Sequence, residues 1–302
     1  MSRHTFSLYL CVNNMGTIGS KIQFDSNKPL GKGGFGEVYL GEYDGNKVAV
    51  KIVDINNVDE REINAMKELT KGKGHPNIVK LFWYERDDKY WYFALELCAA
   101  SLDKAFLGRG NDKKYNGPLP PHIDMFLQLA AGLEYIHSMN FIHRDIKPQN
   151  ILISVRNDGQ KEEITIKWAD FGLTKPVSER GTFDISEICG TDGWFAPEIL
   201  RMCEKRNIDS RGNVKSDVFV LALVFGYLLL KGKHLYGSNV TQIDRNILKN
   251  APVNMTEIGG ELRQLYEHNL LRKMLEDEPK NRMSSTEVFK ELTSIKQKLA
   301  AK

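Results

Sequence analysis

Residues 141 to 154 read FIHRDIKPQNILIS, and the tripeptide DFG begins at Asp170, 25 residues after Asp145 of this stretch. Lys147 follows Asp145 by two residues and Asn150 follows it by five. Phosphoryl transfer requires a carboxylate that accepts a hydroxyl proton, a lysine that neutralises the moving phosphoryl group and an amide that holds a metal ion. A tripeptide alone recurs by chance, but this whole set with DFG downstream predicts a site for phosphoryl transfer.

A glycine-rich segment lies upstream, where Gly31, Gly33 and Gly36 fit the pattern G-x-G-x-x-G-x-V that ends at Val38. Glycines there let backbone amides approach phosphate oxygens without a Cβ in the way. Taken alone, the pattern fits an ordinary hairpin turn or a dinucleotide-binding turn about as well as it fits a loop that binds the phosphates of a mononucleotide. The strand-like segment KVAVKIV favours a mononucleotide, because Lys51 in it can reach the α and β phosphates, whereas a dinucleotide fold would place a helix there.

The ammonium group of Lys51 needs a carboxylate to hold its side chain extended. The predicted helix over residues 58–69 carries three glutamates, Glu60, Glu62 and Glu68. Two of the three are expected to be solvated charges, since surface carboxylates usually contribute little. Helix phase is consistent with Glu62 as the partner, because it lies four residues before Met66 and shares a helix face with it.

The composition is that of a globular protein, and its net charge does not require a charged binding partner. At 302 residues and 41% hydrophobic content, it can form one large two-lobed domain or two average ones. A formal net charge of +3 requires neither nucleic acid nor an anionic membrane, so no nucleic acid partner is expected. The longest apolar run, Val218 to Leu230, has 13 residues, fewer than the roughly 18 that span a bilayer. It predicts a helix buried on all sides and no membrane span.

The cysteines and the amino terminus indicate a reducing compartment. Neither CxxC nor Cys/His ligand spacing occurs among the four cysteines, Cys11, Cys98, Cys189 and Cys203. We therefore predict reduced thiols in a cytoplasmic protein, with no zinc site and no disulfide framework. The apolar run from Phe6 to Val12 is interrupted by Ser7 and has no clear cleavage site, so no secretory signal is predicted. Residues 1–21 are interpreted as an N-terminal extension.

The secondary-structure pattern changes near residue 98. Before it, the segments EVYLGEY, KVAVKIV and YWYFALEL are strand-like, with the one helix between them. Beyond Leu102 the spacing is helical, beginning with a segment opened by Pro120 and Pro121. The sequence thus predicts an α+β protein, with a small sheet lobe over about 22–97 and a larger, mainly α-helical lobe over about 98–299.

Together these motifs resemble the eukaryotic protein kinase family, from about Phe24 to Leu299. Further downstream, Asp217 is similar to the aspartate that anchors the catalytic loop from a buried helix, and Arg282 to the partner of Glu198 in the APE motif. The resemblance implies the bilobal protein-kinase fold, with an antiparallel sheet in the small lobe, and a kinase domain over residues 22–299. It also implies ATP and Mg²⁺ as cofactors.

The resemblance assigns a role to each motif residue. Asp145 would orient the substrate hydroxyl and accept its proton, and Lys147 would stabilise charge on the γ-phosphoryl oxygens. Asn150 and Asp170 would hold Mg²⁺. Glu62 is preferred as the partner of Lys51 because its REI string aligns with the family. The nucleotide is expected to contact residues of both lobes: Gly31, Gly33, Gly36, Val38, Ala49, Lys51, Glu96, Cys98 and Leu152.

Other residues that match the kinase family indicate the class of substrate and the packing around the nucleotide. The string DIKPQN is similar to the serine/threonine form of the catalytic loop, which implies a protein substrate with a Ser or Thr acceptor. Leu95 would guard the back of the adenine pocket, and Cys98 would contribute its backbone to adenine binding. Four residues match the apolar stack that links the lobes of active kinases, namely Met66, Leu81, His143 and Phe171.

Hydroxyl side chains lie between DFG and APE. Thr191 is expected to contact Asp145 and Lys147. A phosphate of nearly two negative charges on a neighbouring hydroxyl could pair with Arg144 and order the loop. The candidate sites are Ser178, Thr182 and Ser186, each of which taken singly is more often a plain loop hydroxyl.

A narrower resemblance, to the inositol-requiring kinase/endoribonuclease sensors of the unfolded-protein response, is carried by ELCAASL, HSMNFIHRDIKPQNILIS, GTDGWFAPEIL and GKHLYGSN. It implies trans-autophosphorylation in a homodimer and a role in stress signalling. Val220 and Ala222 depart from the Ser and Gly usual in kinases. Only about 20 residues follow Arg282, so RNA cleavage is not expected.

Two functions of different class are compatible with the sequence. One is an active serine/threonine kinase. The other is a nucleotide-binding scaffold that dimerises with a full-length sensor. Scaffolds of this fold commonly lose one or more catalytic residues, so the intact set favours catalysis: Lys51, Glu62, Asp145, Lys147, Asn150 and Asp170.

Overall fold

The structure is a computed structural model that describes residues 21–33, 36–58, 60–157, 159, 162–184, 190–205 and 211–301. For residues 33, 61, 62, 184, 204, 205 and 211 it describes the backbone alone. The N-terminal extension predicted for residues 1–21 therefore lies almost entirely outside the described residues.

The small lobe is a five-stranded antiparallel sheet with one helix. Its elements are β1 (Ile22–Gly33), β2 (Gly36–Tyr43), β3 (Asn46–Asp54), α1 (Glu60–Thr70), β4 (Leu81–Arg86) and β5 (Tyr90–Glu96). The strand order is β1-β2-β3-β5-β4. The helix begins two residues later than predicted because a 3-10 turn, capped by the Asp54 side chain at the amide of Asn56, precedes it.

The larger lobe is mainly helical. Its helices are α2 (His122–Ser138), α3 (Pro197–Lys205), α4 (Lys215–Leu229), α5 (Val240–Leu248), α6 (Gly260–Tyr266), α7 (Arg272–Met274) and α8 (Ser285–Ala300). Short strands complete it: β6 (Ala100–Ser101), β7 (Phe141–Ile142), β8 (Ile151–Asn157), β9 (Glu162–Trp168), β10 (Lys175–Pro176), β11 (Thr182–Asp184) and β12 (Arg211–Asn213). The predicted α+β bilobal fold is thus confirmed.

Helix α4 is the centre of the larger lobe. Its side chains from Ser216 to Gly226 are all buried, as the uninterrupted apolar run predicts. Helix α2 packs beside it, and the rings of Phe126 and Phe225 stack with centroids 4.0 Å apart. Among the described residues, no helix combines the length and apolar character needed to cross a membrane.

A buried polar cluster joins the two lobes at the carboxyl end of β5. The carboxylate of Glu96 lies 3.1 Å from the ammonium of Lys167 in β9 and accepts a hydrogen bond of 3.3 Å from the hydroxyl of Ser154 in β8. The same ammonium donates to the carbonyl of Pro76, which precedes β4. Because a buried charge is costly unless paired, this cluster fixes the connection between β5 and the hairpin that leads to Asp170.

Candidate active site

A cavity of about 200 Å³ lies between the lobes. Six of the predicted nucleotide-binding residues line it, Gly36, Val38, Ala49, Lys51, Glu96 and Leu152, and so do both predicted metal ligands, Asn150 and Asp170. Leu95 lines it as well. Sequence reasoning missed Val79, Gln149 and Ala169, which also line it.

Of the three remaining predicted nucleotide contacts, Gly31 and Cys98 are not among the residues that line the cavity, and Gly33 is described by its backbone alone, paired with Gly36. Gly31 lies on β1, paired with Val38. Cys98 follows β5, and burial raises the pKa of its thiol to about 12, so it is protonated at neutral pH. Glu96 lines the cavity, but its carboxylate is engaged by Lys167 and its amide donates to the carbonyl of Lys80 at 2.8 Å.

Strand alternation places the lysine of β3 in the cavity. Val48 and Val50 are fully buried on one face of the sheet. Because successive side chains of a strand point to opposite faces, Ala49 and Lys51 lie on the other face and line the cavity. Val38 is directly paired with Lys51 across β2 and β3. The period-two pattern of KVAVKIV therefore determines which residues meet the ligand.

Gly36, at the start of β2, has a conformation that other residues rarely adopt, with φ of 124°. A Cβ at this position would lie 2.2 Å from the carbonyl oxygen of Ile52. Only glycine lets the two strands approach this closely at the edge of the cavity.

The ammonium of Lys51 lies 2.6 Å from a carboxylate oxygen of Asp170. Burial by itself would raise the pKa of Asp170, but the attraction and hydrogen bond of Lys51 outweigh it and hold that pKa below its ordinary value. Asp170 is therefore ionised at neutral pH, as a metal ligand must be. It has a left-handed backbone, with φ of 60°. The side chain of Glu62 lies outside the described residues, so its pairing with Lys51 stays a prediction.

Asp145 has three hydrogen-bond donors around its carboxylate. The ammonium of Lys147, the hydroxyl of Thr191 and the amide nitrogen of Asn150 each donate to it at 2.7 Å. Lys147 also donates to Thr191 at 2.7 Å, which is the contact expected of this threonine. The carboxylate is only 2% exposed, so these donors fix its orientation. A general base must be held in this way to accept a proton from one direction.

The backbone of the catalytic loop is held by Asp217, at the start of α4. Its carboxylate accepts hydrogen bonds from the amides of His143, at 2.8 Å, and Arg144, at 3.1 Å. Arg144 has φ of 70°, a strained conformation for a residue with a side chain. His137 of α2 lies 3.0 Å from Asp217 and was missed by sequence reasoning, since histidine near the end of a helix has no distinctive pattern.

The predicted apolar stack lies behind this site. The rings of His143 and Phe171 are 5.4 Å apart. Phe171 and Met66 belong to one buried cluster, against which Leu81 packs. His143 and Phe171 lie close in sequence to Asp145 and Asp170. Their contact thus connects the catalytic loop and the DFG segment through the core.

His234 is buried beside the segment that follows Thr191. Its ring meets that of Trp194 edge to face, with centroids 5.0 Å apart. Burial lowers the pKa of His234 from 6.5 to about 4, although the Gly193 backbone partly opposes this shift. The folded protein therefore contains a neutral imidazole at pH values where the unfolded chain has begun to bind a proton.

We expect this difference to make the protein less stable in acid. Between about pH 6.5 and pH 4 the unfolded state binds more protons, so the free energy of unfolding falls as the pH falls, by up to about 3 kcal/mol from this group. His234→Phe should lack this part of the slope. Urea unfolding of both proteins at pH 4.5 and 7.5 measures it, and an equal fall in the two proteins contradicts the assignment.

Residues 24–292 match the protein kinase domain model. Similar proteins include the human serine/threonine-protein kinase/endoribonuclease IRE2, 33% identical over 279 residues, which are 90% of this chain and 28% of that protein. The Schizosaccharomyces pombe sensor for unfolded proteins in the ER, ire1, is 31% identical over 73% of this chain and 22% of its own length. A provisionally named serine/threonine-protein kinase of Acanthamoeba polyphaga mimivirus, R517/R518, is 32% identical over 86% of this chain and 60% of its own length.

The chain thus spans only part of each of these relatives, between about a fifth and three fifths of their length. The matched part contains the cavity, the catalytic loop and the anchoring aspartate described above. The chain therefore belongs to the protein kinase family, as a serine/threonine kinase related to the kinase/endoribonuclease sensors.

Proposed function

We propose that this kinase uses Mg²⁺ and ATP to phosphorylate serine and threonine hydroxyls of proteins, including those in the activation segment of a second copy of itself. The observation that carries this proposal is the orientation of the Asp145 carboxylate by Lys147, Thr191 and Asn150 at 2.7 Å each. Such an arrangement suits a group that accepts one proton from a hydroxyl held above it.

Each charged group of the cavity has a place in this reaction. Lys51 would neutralise the nucleotide phosphates from the small lobe, and Lys147 the transferring phosphoryl group from the larger lobe. Asn150 and Asp170 offer an amide oxygen and a carboxylate, hard ligands that suit Mg²⁺ together with phosphate oxygens. When bound, Mg²⁺ supplies neutralisation of the phosphate charge.

The described residues contain no cluster of three His, Cys, Asp or Glu side chains that could hold a metal by itself. A site with few protein ligands is typical of Mg²⁺ bound jointly with a nucleotide. This small number of protein ligands supports joint binding of ATP and the metal ion.

Exposure of the acceptor hydroxyls supports reaction in trans. Ser178 and the nearby turn are exposed, whereas Thr191 is held by Asp145 and Lys147 of its own chain. A second copy can therefore approach Ser178 or Thr182. Ser186 lies outside the described residues. A role in the response to unfolded proteins is proposed on the names of the relatives alone, and a cytoplasmic location stays a prediction.

Loss of Lys51 provides the test of catalysis. Purified protein with Mg²⁺ and radiolabelled ATP should incorporate phosphate, and Lys51→Met should lower the rate by at least about 100-fold, because it removes a fixed charge from the phosphates. Lys47→Met, at an exposed position of the same strand, serves as the matched control and should leave the rate unchanged. To test reaction in trans, a size-tagged Asp145→Asn copy is mixed with wild type and its own labelling is measured.

A nucleotide-binding scaffold is the alternative. It predicts wild-type protein that binds ATP in a fluorescence titration yet transfers no phosphate to itself or to generic peptides. That result would replace the proposed kinase activity with the scaffold.

A further inference from the structure

The activation segment contains a short hairpin that is bound to the larger lobe by its backbone. Within the turn, the amide of Ser178 donates to the carbonyl of Thr182 at 2.9 Å, and the two hydroxyls lie 2.8 Å apart. Strand β11 pairs antiparallel with β12, and the amide of Val214 donates to the carbonyl of Gly181 at 2.9 Å. These bonds fix the segment against the chain that leads into α4.

Phe183 is the one side chain of β11 that is buried among those described. It is 8% exposed and forms a small core with Ile142. The residues packed around this core come from three other segments, Val177, Ile199, Met202 and Val214. The ring thus joins the activation segment to strand β7, which leads into the catalytic loop, and to helix α3.

Gly212 lies directly opposite Phe183 in the β11–β12 pair. A Cβ at Gly212 would lie 2.1 Å from the Cζ atom of the phenyl ring. The ring therefore lies flat on the backbone of β12, in a space that only glycine leaves open. Filling this space would displace Phe183 without changing any residue of the activation segment itself.

Arg144 also lies against the ring of Phe183. Its guanidinium carbon lies 5.5 Å from the centre of the Phe183 ring, within the range of a cation–π interaction. Asp217 holds the Arg144 backbone in its left-handed conformation. The same arginine that a phosphorylated loop residue is expected to engage is therefore already linked to the segment by an aromatic ring.

We propose that Phe183 is a positioning residue that docks the activation segment on Arg144 and Gly212 without phosphorylation. None of the contacts that fix the hairpin needs a phosphate group. The part of the active site that binds the acceptor hydroxyl would then be formed in the phosphate-free protein. Phosphorylation would change the level of a basal activity that already exists. The kinetic part of this inference rests on the proposed function, but the docking itself does not.

Hydrogen exchange tests the docking without reference to catalysis. Wild-type protein is treated with phosphatase, verified by intact mass, and compared with variants by mass spectrometry over residues 178–184. Slow exchange is expected in phosphate-free wild type, and Phe183→Ala and Gly212→Ala should exchange at least about tenfold faster. Gly108→Ala is the matched control, because a Cβ there has open space around it, and it should exchange like wild type. Fast exchange in phosphate-free wild type, or unchanged exchange in Phe183→Ala, overturns the proposal.

Kinetics then distinguish positioning from a general loss of structure. In phosphate-free protein, Phe183→Ala should lower kcat/KM for an external serine peptide by at least about tenfold while leaving the KM for ATP unchanged. Phe183→Tyr, which keeps the ring, should restore the rate. If wild type has no kinase activity in either phosphorylation state but the exchange pattern holds, the proposed function fails and the docking stands. An active wild type whose Phe183→Ala variant has the same kcat/KM overturns the positioning role.

Discussion

Asp145→Asn is expected to lower kcat for phosphoryl transfer by about 10² to 10⁴-fold, the range that loss of a general base produces, while ATP binding is retained. Asparagine has nearly the same shape as aspartate, so the groups around position 145 stay close to their places. The amide cannot accept the hydroxyl proton, and it removes the negative charge that Lys147 contacts at 2.7 Å. Steady-state kinetics with a serine peptide, together with an ATP titration, measure both quantities.

The matched control for this substitution is Asp112→Asn, which changes an exposed carboxylate in the loop before α2. It should leave kcat and ATP binding as in wild type. If Asp145→Asn retains kcat within about tenfold of wild type, Asp145 is not the base. If it loses ATP binding as well, the contacts of Asp145 are structural, and the assignment of its role changes accordingly.

Arg282→Met is expected to cost about 3–5 kcal/mol of stability, the typical result of breaking a buried ion pair from one side. The Arg282 side chain is fully buried and donates to both carboxylate oxygens of Glu198, at 2.9 and 3.0 Å. It also donates to three backbone carbonyls, those of Lys215, Glu276 and Asp277. Methionine would fill the volume but leave a carboxylate that is only 12% exposed without its cation.

Urea unfolding measures this effect from the midpoint and the slope of the transition. Lys233→Met is the control, because it removes an exposed ion pair with Glu257 and should cost less than about 1 kcal/mol. Glu198→Gln should also destabilise the protein, because the amide keeps one oxygen for Arg282 and Ser216 but turns an NH₂ donor toward the other Arg282 nitrogen and removes the negative charge. A stability of Arg282→Met within about 1 kcal/mol of wild type would show that the pair contributes little.

The sequence alone predicted the position of a side chain wherever the local pattern of apolar residues shows which face of a strand or helix is buried. Alternation in KVAVKIV places Lys51 on the face opposite Val48 and Val50, and the structure has these valines fully buried. The apolar run in residues 218–230 predicted a helix enclosed by protein, which α4 is. Motif spacing likewise brought Asp145, Lys147 and Asn150 into one cluster, because they lie on a single short loop.

Partners that are distant in the chain were predictable only where the family resemblance supplied them, as for Asp217 with the catalytic loop and for Arg282 with Glu198. Outside that resemblance they were missed. Neither the link between Glu96 and Lys167 nor the place of His137 beside Asp217 followed from any pattern. Gly31 and Cys98 were expected at the nucleotide, yet neither is among the residues that line the cavity.

What the sequence determined by itself was the chemistry of the catalytic groups and the periodicity of the elements that present them. The tertiary structure decided which of these groups contact one another: Lys51 with Asp170, and Arg144 with Phe183 over Gly212. The physical reason is that periodicity depends on backbone geometry within a few residues, whereas the pairing of distant side chains depends on how whole elements pack. Such packing is a property of the complete chain rather than of any segment in it.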